Sequence, residues 1–399
     1  MKYIRQWFSD FAGIFVHELK QIFSDGGVLI IFLVGGLGYP IVYSIVYSGD
    51  VLNDTPVAVV DMADCAESRR YIREVDATRE LNVASRCMSM AEARQLLAQR
   101  KVNGILYFPE DFGRRMARGE TATLSVYADM SSFLYYRNIL MGTEFVMLHE
   151  LKGVQIERYR EAGMTEAQAA VASSPIRYEE NNPYNRTFAY NIFFLSAALM
   201  LVIQQTMFYG MSLLAGTMRE QNRSFALLPS SLHGRGMGRV VWGRGMAYGL
   251  VYLIVGMYVA FLVPSIPGLP QRGSYWDILT LLLFFIVACV FFCMTWSTFI
   301  TRRESVFLLL LWVSPVALFL TGCSWPVTAF PPFWRWVSYL FPSTFACQGF
   351  VNLNTAGATL NMIRPQIIGL TLQSVVYCVL AHAAIYVENI LTGKFHQAR

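Results

Sequence analysis

The chain has 399 residues, of which 55% are hydrophobic and only 15% charged, and its mean hydropathy is +0.40. That composition excludes a soluble globular protein of this size and reads as a polytopic α-helical membrane protein. The net charge of +5 needs no nucleic-acid partner, because the excess basic residues flank apolar spans, where they face anionic lipid.

Residues 1–27 read as an interfacial connecting helix. Apolar side chains recur as Ile4, Trp7, Phe8, Phe11, Ile14, Phe15, Leu19 and Ile22, with Arg5, Asp10, Glu18 and Lys20 mostly on the other side. Such a helix lies on the inner leaflet with its apolar face in the lipid. Residues 28–48 follow as the first span, in which Gly35, Gly36, Gly38 and Pro40 predict a kink and close packing. The segment is not read as a signal peptide, since about 27 mixed residues precede it and no small-residue cleavage site follows.

Residues 49–187 interrupt the apolar pattern and hold 20 of the 27 acidic residues. Short strands at Pro56–Met62, Leu81–Ser85, Gly104–Phe108 and Thr121–Ala128 alternate with helical spacing at Ala66–Val75, Met90–Gln99 and Pro109–Ala117. The alternation predicts a small parallel or mixed sheet with helices on its faces. From Ser131 to about Ala170 the pattern is helical, with a break at Gly163 and a capping box at Thr165 and Gln168.

Residues 188–391 contribute five more spans, near Phe188–Leu214, Val240–Val263, Ile278–Ile300, Val306–Gly322 and Ile367–Val387. Each approaches the roughly 20 residues that a hydrocarbon core of about 30 Å requires. Outside 49–187, 12 of the 15 basic residues fall in alternate connections, so the positive-inside rule puts both termini in the cytoplasm and the α/β domain outside. Residues 392–399 form a cytoplasmic tail. Asp277 and Glu388 sit at span ends, where solvation at headgroup level is expected, and His382 within the last span reads as a hydrogen-bonded neutral imidazole.

Two connections stand out. The basic loop 215–239 after the second span exposes polar backbone near Arg219, Glu220 and Arg223, with helical spacing at Arg219–Ala226, and reads either as a contact surface or as a plain basic loop obeying the positive-inside rule. Segment 321–349 carries Gly322, Pro326, Pro331, Pro332 and Pro342 among Trp325, Trp334 and Trp336. Prolines at these spacings forbid one straight helix and suit either a broken re-entrant element or an interfacial loop with an aromatic belt.

Catalytic and metal signatures are missing from the sequence. The Gly393-Lys394 step is followed by Phe395 and lacks the upstream glycine of a phosphate-binding loop, and the five histidines show no ligand spacing. Secondary transport is disfavoured by the lack of an acid within a span. Cys65 follows the first strand and Cys87 the second, so parallel neighbouring strands would bring both to one sheet edge, either as a disulfide or as two free thiols.

The layout resembles the permease subunit of an ATP-binding-cassette exporter, of the type-2 permease superfamily, in the branch with a large domain after the first span. Val57-Ala-Val-Val-Asp61, Ser68-Arg69 and Val102 to Phe112 are similar to that branch's strand and strand-to-helix motifs. Asn182-Pro183, Gly216-Thr217, Leu227 to Pro229, Gly243-Arg244 and the Gly322 to Pro342 prolines extend the resemblance along the chain. One departure is that Ser212 to Ala215 precede Gly216, where the family places acids, and Glu220 follows instead.

The resemblance implies a dimeric transport subunit in the bacterial inner membrane that exports a hydrophobic or amphipathic substrate and performs no bond chemistry. ATP and Mg would be held by a separate cytoplasmic ATPase, with Arg219, Glu220 and Arg223 at the contact. Further partners would be a second permease copy or a paralogue, membrane lipid, and a periplasmic adaptor protein in a larger assembly. By the same resemblance, a re-entrant element at Gly322 to Pro342 would cap the exit of the substrate path. A signalling or assembly protein of the same architecture, whose outer domain binds a periplasmic partner, stays open as the alternative.

Overall fold

The computed structural model describes residues 2–47, 52–176, 183–185, 190–221 and 237–397. The chain divides into a helical unit, Met1–Asp50 with Pro183–Arg399, and an α/β unit, Val51–Asn182.

The helical unit begins with α1 (Lys2–Ser24), which buries Ile14 and Ile22. Asp25 then starts the first apolar helix, its Oδ1 accepting from the backbone of Gly27 at 2.9 Å and Val28 at 3.1 Å. That helix comprises α2 (Gly26–Ile30), a π-helical stretch (Ile31–Gly38) and α3 (Tyr39–Val46). The widened turns coincide with Gly35, Gly36 and Gly38, so the irregularity expected there takes the form of a π-helix ahead of Pro40.

In the α/β unit, β1 (Thr55–Asp61), β2 (Leu81–Cys87) and β3 (Gly104–Phe108) are parallel, and β4 (Ser125–Ala128) closes the sheet antiparallel to β3. The strand order is β2-β1-β3-β4. Crossovers run through α4 (Ala66–Asp76) and α5 (Met90–Ala98), and α6 (Phe112–Ala117) follows β3. Next come α7 (Phe133–Glu161) and α8 (Glu166–Ser173), separated at Gly163 with φ +90°. Alternation along β1 sends Val57 and Val59 to one face, with Tyr71, Ile72 and Ile139, and Ala58 and Val60 to the other, with Ala93 and Ile105. Each fully buried valine is worth roughly 1.5–3 kcal/mol.

The two cysteines of this sheet follow the same alternation, and the possible disulfide is replaced by the other alternative. Although β1 and β2 are parallel neighbours, Cys65 packs on the Val57 face and Cys87 on the Val60 face, and both are free. The Cys65 sulfur accepts from Ser68 N at 3.3 Å, while Ser68 Oγ accepts from Cys65 N and donates to Asp61 Oδ2 at 2.7 Å. Cys65 is thus the N-cap of α4.

The remaining bundle comprises α9 (Tyr190–Glu220), α10 (Met237–Met257, prolonged by a π turn and a 3₁₀ turn to Ser265), α11 (Tyr275–Ser297), α12 (Ser305–Leu320), α13 (Pro332–Ser338), α14 (Pro342–Asn354) and α15 (Arg364–Gln397). Five apolar helices among the described residues are long enough to cross a membrane: Gly26–Val46, Phe194–Glu220, Gly238–Ser265, Tyr275–Ser297 and Arg364–Glu388. The expected sixth corresponds to α12, whose 16 residues contain Pro315 and extend only about 24 Å. Of the apolar stretch of α9, 94% is buried, against 28% for the first helix and 22% for α15, so α9 is the axis around which the others pack.

Beyond α12 the chain is broken, as its prolines predict. Gly322 turns with φ +83° against Val327, and Pro331 and Pro332 open α13 at the surface. Pro342 opens α14, which is buried against α9 and α11 and runs on to Asn354.

Candidate functional site

At the end of the bundle where α9 finishes, acids and arginines from distant parts of the chain meet. Asp10 and Glu18 on α1 pair with Arg239 at 2.5 Å and Arg244 at 3.0 Å on α10. The sequence pattern put these acids on the face away from the apolar residues; instead they fasten α1 to α10. Glu18 and Arg244 are each 4% exposed, so their solvation has been exchanged for one another. Gly243 makes this crossing possible, since a Cβ there would sit 2.9 Å from Ile14 Cγ2.

Asp25 receives both terminal nitrogens of Arg303 at 3.1 Å, and Thr217 Oγ1 accepts from the same guanidinium at 2.9 Å. Glu220 Oε1 accepts from Arg303 backbone N at 2.8 Å. Gly216 permits the approach: a Cβ there would lie 2.8 Å from Arg303 N and 2.9 Å from Arg302 C, both backbone atoms. The Gly216-Thr217 and Gly243-Arg244 motifs therefore mark two close approaches, of α9 to the turn before α12 and of α10 to α1, each beside an ion pair.

Arg219 lies differently from the expected exposed contact. No separate helix begins at Arg219, because α9 continues through Glu220. Its side chain turns inward, Nε donating to Glu388 Oε1 at 2.9 Å and Nη1 to the carbonyls of Ser297, at 2.8 Å, and Ile300. Glu388, expected to be solvated at a span end, is its partner on α15. Glu220 is exposed, and Arg223 lies outside the described residues. His382 hydrogen-bonds within its own helix, Nδ1 donating to Cys378 O at 2.7 Å.

A second feature is a groove of about 710 Å³ between the first apolar helix, α9 and α12. Its lining, which includes Val34, Tyr43, Leu201, Gln205, Tyr209 and Leu311, contains no charged side chain. Gln205 is 7% exposed, and neither its amide nitrogen nor its oxygen has a hydrogen-bond partner among the described residues. Neighbouring Gln204 is engaged, its Oε1 accepting from Ser343 N on α14 at 2.6 Å. None of Gly322, Pro326, Pro331, Pro332 and Pro342 lines this groove.

In the α/β unit, Glu74, His149 and Glu150 bring ligand-type atoms within 4.8 Å of one another, a convergence invisible in the spacing of the histidines. Arg70 donates to Glu150, so the cluster carries its own cation. Burial, then the adjacent Glu150, push the Glu74 carboxyl above its usual range.

Residues 27–383 match the family model described as ABC-2 family transporter protein. The chain belongs to this family. No curated protein sequence matches it. An ABC-2 permease is the transmembrane subunit of an ABC transporter, and membership implies an ATP-binding-cassette ATPase as partner. The matched segment contains Arg219, Arg239, Arg244 and Arg303 but none of their carboxylates, since Asp10, Glu18 and Asp25 precede it and Glu388 follows it.

Proposed function

We propose that this ABC-2 permease is the membrane subunit of an exporter in the bacterial inner membrane, moving a hydrophobic or amphipathic substrate outward. ATP and Mg are bound by the separate ATPase. The observation that carries the reading is that one helix, α9, bears both the uncharged groove at Gln205 and the ion-pair layer at Arg219. The two positions are 14 residues apart on α9, about 21 Å. A push at the layer is therefore delivered to the groove by a single rigid element.

In this proposal α12 is the fifth of six spans, both termini and the ion-pair layer are cytoplasmic, and the α/β domain is extracytoplasmic. The distribution of basic residues supports that orientation. The first helix and α12 leave apolar faces exposed beside the groove, which a second copy or a paralogue covers. Glu220, exposed at the end of α9, and Arg223 beyond it meet the ATPase, while Arg219 transmits the push inward. Segment 321–349 with Gly322, Pro326, Pro331, Pro332 and Pro342 caps the outer exit, and the α/β domain is free to engage a periplasmic adaptor. The groove alternates between inward-facing and outward-facing states biased by nucleotide on the partner.

The test is ATP-dependent uptake of a lipophilic amphipath into inverted vesicles holding the chain with its ATPase. Uptake that requires both chains supports export. ATP hydrolysis without uptake of any amphipath, together with retention of a periplasmic partner by the α/β domain, would favour a signalling or assembly role.

A further inference from the structure

The groove between the first apolar helix, α9 and α12 has a chemical bias that narrows the substrate class, an inference resting on the transport reading above. Its lining is aliphatic and aromatic, with hydroxyls and one amide as its polar groups, and it contains neither a cation nor an anion. An ionised headgroup placed there would lose its hydration and gain no counter-charge. The groove therefore selects against permanently charged ligands.

Gln205 supplies the positive half of the selection. The residue is 7% exposed and its amide has no partner for nitrogen or oxygen among the described residues, whereas the hydroxyl of Thr206 beside it is taken by Val202 O at 2.7 Å. A buried amide without partners is costly, and it becomes favourable only when a ligand brings a donor and an acceptor together. The groove volume of about 710 Å³ is within the range of small-molecule sites.

We propose that Gln205 is the specificity-determining residue of the substrate groove, and that the substrate is an uncharged amphipath carrying an amide-like group, a donor and an acceptor side by side, on an apolar body. Substrate and amide form a reciprocal pair of hydrogen bonds while the apolar body lies along Leu201, Val34 and Leu311. A site built in this way rejects an analogue that cannot supply both bonds.

The probes are three diazirine-bearing twelve-carbon chains ending in a primary amide, a carboxylate or a trimethylammonium group, at equal mole fractions in phosphatidylcholine nanodiscs holding the full-length chain. The amide probe is expected to label α9 and α12 at the groove, with the two charged probes labelling at least tenfold less. Gln205→Leu and Gln205→Met should both reduce amide labelling about tenfold, and removing an unpartnered amide should leave folding intact. Equal labelling by all three probes, or amide labelling indifferent to both variants, overturns the proposal. So does rapid disulfide formation between two Gln205→Cys chains that excess amide does not slow, which would assign the groove to a second copy. If vesicle uptake works while Gln205 proves irrelevant, this inference falls alone; if uptake fails altogether, the transport reading falls, whatever the labelling shows.

Discussion

Arg219 on α9 and Glu388 on α15 are joined through Nε and Oε1 at 2.9 Å, and the same guanidinium caps the end of α11 by donating to Ser297 O. One side chain thus ties three helices. Both partners are mostly buried, at 15% and 17% side-chain exposure. Arg219→Glu would place a second carboxylate against Glu388 and the carbonyls, and should destabilise the bundle by on the order of 3 kcal/mol. Thermal unfolding in detergent should show a lower midpoint for Arg219→Glu and a partial return in Arg219→Glu/Glu388→Arg. Glu220→Lys, at an exposed position, should shift the midpoint little; a large shift there together with none for Arg219→Glu would contradict the assignment.

Gly216→Ala should be disproportionately harmful for a single methyl group. The added carbon meets the backbone of Arg302 and Arg303, which cannot swing aside like a side chain. Overpacking of this kind costs about 1–3 kcal/mol. Because Arg303 also holds Asp25 and Thr217, the variant should loosen the start of the first apolar helix, read as faster amide exchange at Gly27 and Val28. Unchanged exchange would show that the crossing has slack.

Thiol chemistry separates the two cysteines of the α/β unit. Alkylation before a non-reduced digest should label Cys65 and Cys87 on separate peptides, with Cys87 slower because burial, then the nearby Glu92, raise its pKa. Cys65→Ala should weaken α4 by about 1 kcal/mol through loss of the cap, and Cys65→Ser should restore most of it. A linked Cys65–Cys87 peptide would refute the opposite-face arrangement.

Glu74 provides a pH signature. Its folded pKa is raised by burial and by Glu150, so the folded state holds the proton more tightly than the unfolded one does. The resulting stability is complete below the unfolded carboxyl value of about 4.3 and is lost as pH rises through the folded value. At pH 7 the ionised side chain is a burden, and Glu74→Gln should slow amide exchange along α4. That benefit should fade as the pH is lowered through about 4; a benefit that grows on acidification would reverse the argument.

Much of this architecture was legible because it is written in short-range patterns. The alternation of short strands with helical spacing from Pro56 to Ala128 predicts a sheet with helices on its faces, β3 occupies the expected residues Gly104–Phe108, and Thr165 with Gln168 forms the expected capping box. Hydropathy alone ends the span of α9 at Leu214, because nothing local signals that Arg219 is sheltered by Glu388, 169 residues away. The acids of α1 were misplaced for the same reason, since their arginines lie more than 220 positions downstream. Nothing in the sequence singles out Gln205; only the arrangement of α12 and the first helix around it shows its amide without a partner among the described residues.

The pairing of α1 with α10 has a consequence in time. Asp10, Glu18 and Asp25 precede their arginines by 229, 226 and 278 residues. At a synthesis rate of about 5–20 residues per second, the first carboxylates wait roughly 10–60 s for a counter-charge. Throughout that interval α1 exists as a nascent amphipathic segment without the α10 arginines it will pair with. Its docking is then a late event in biogenesis, one that certifies that the chain has been translated at least as far as Arg244, while the Asp25 pair waits for Arg303.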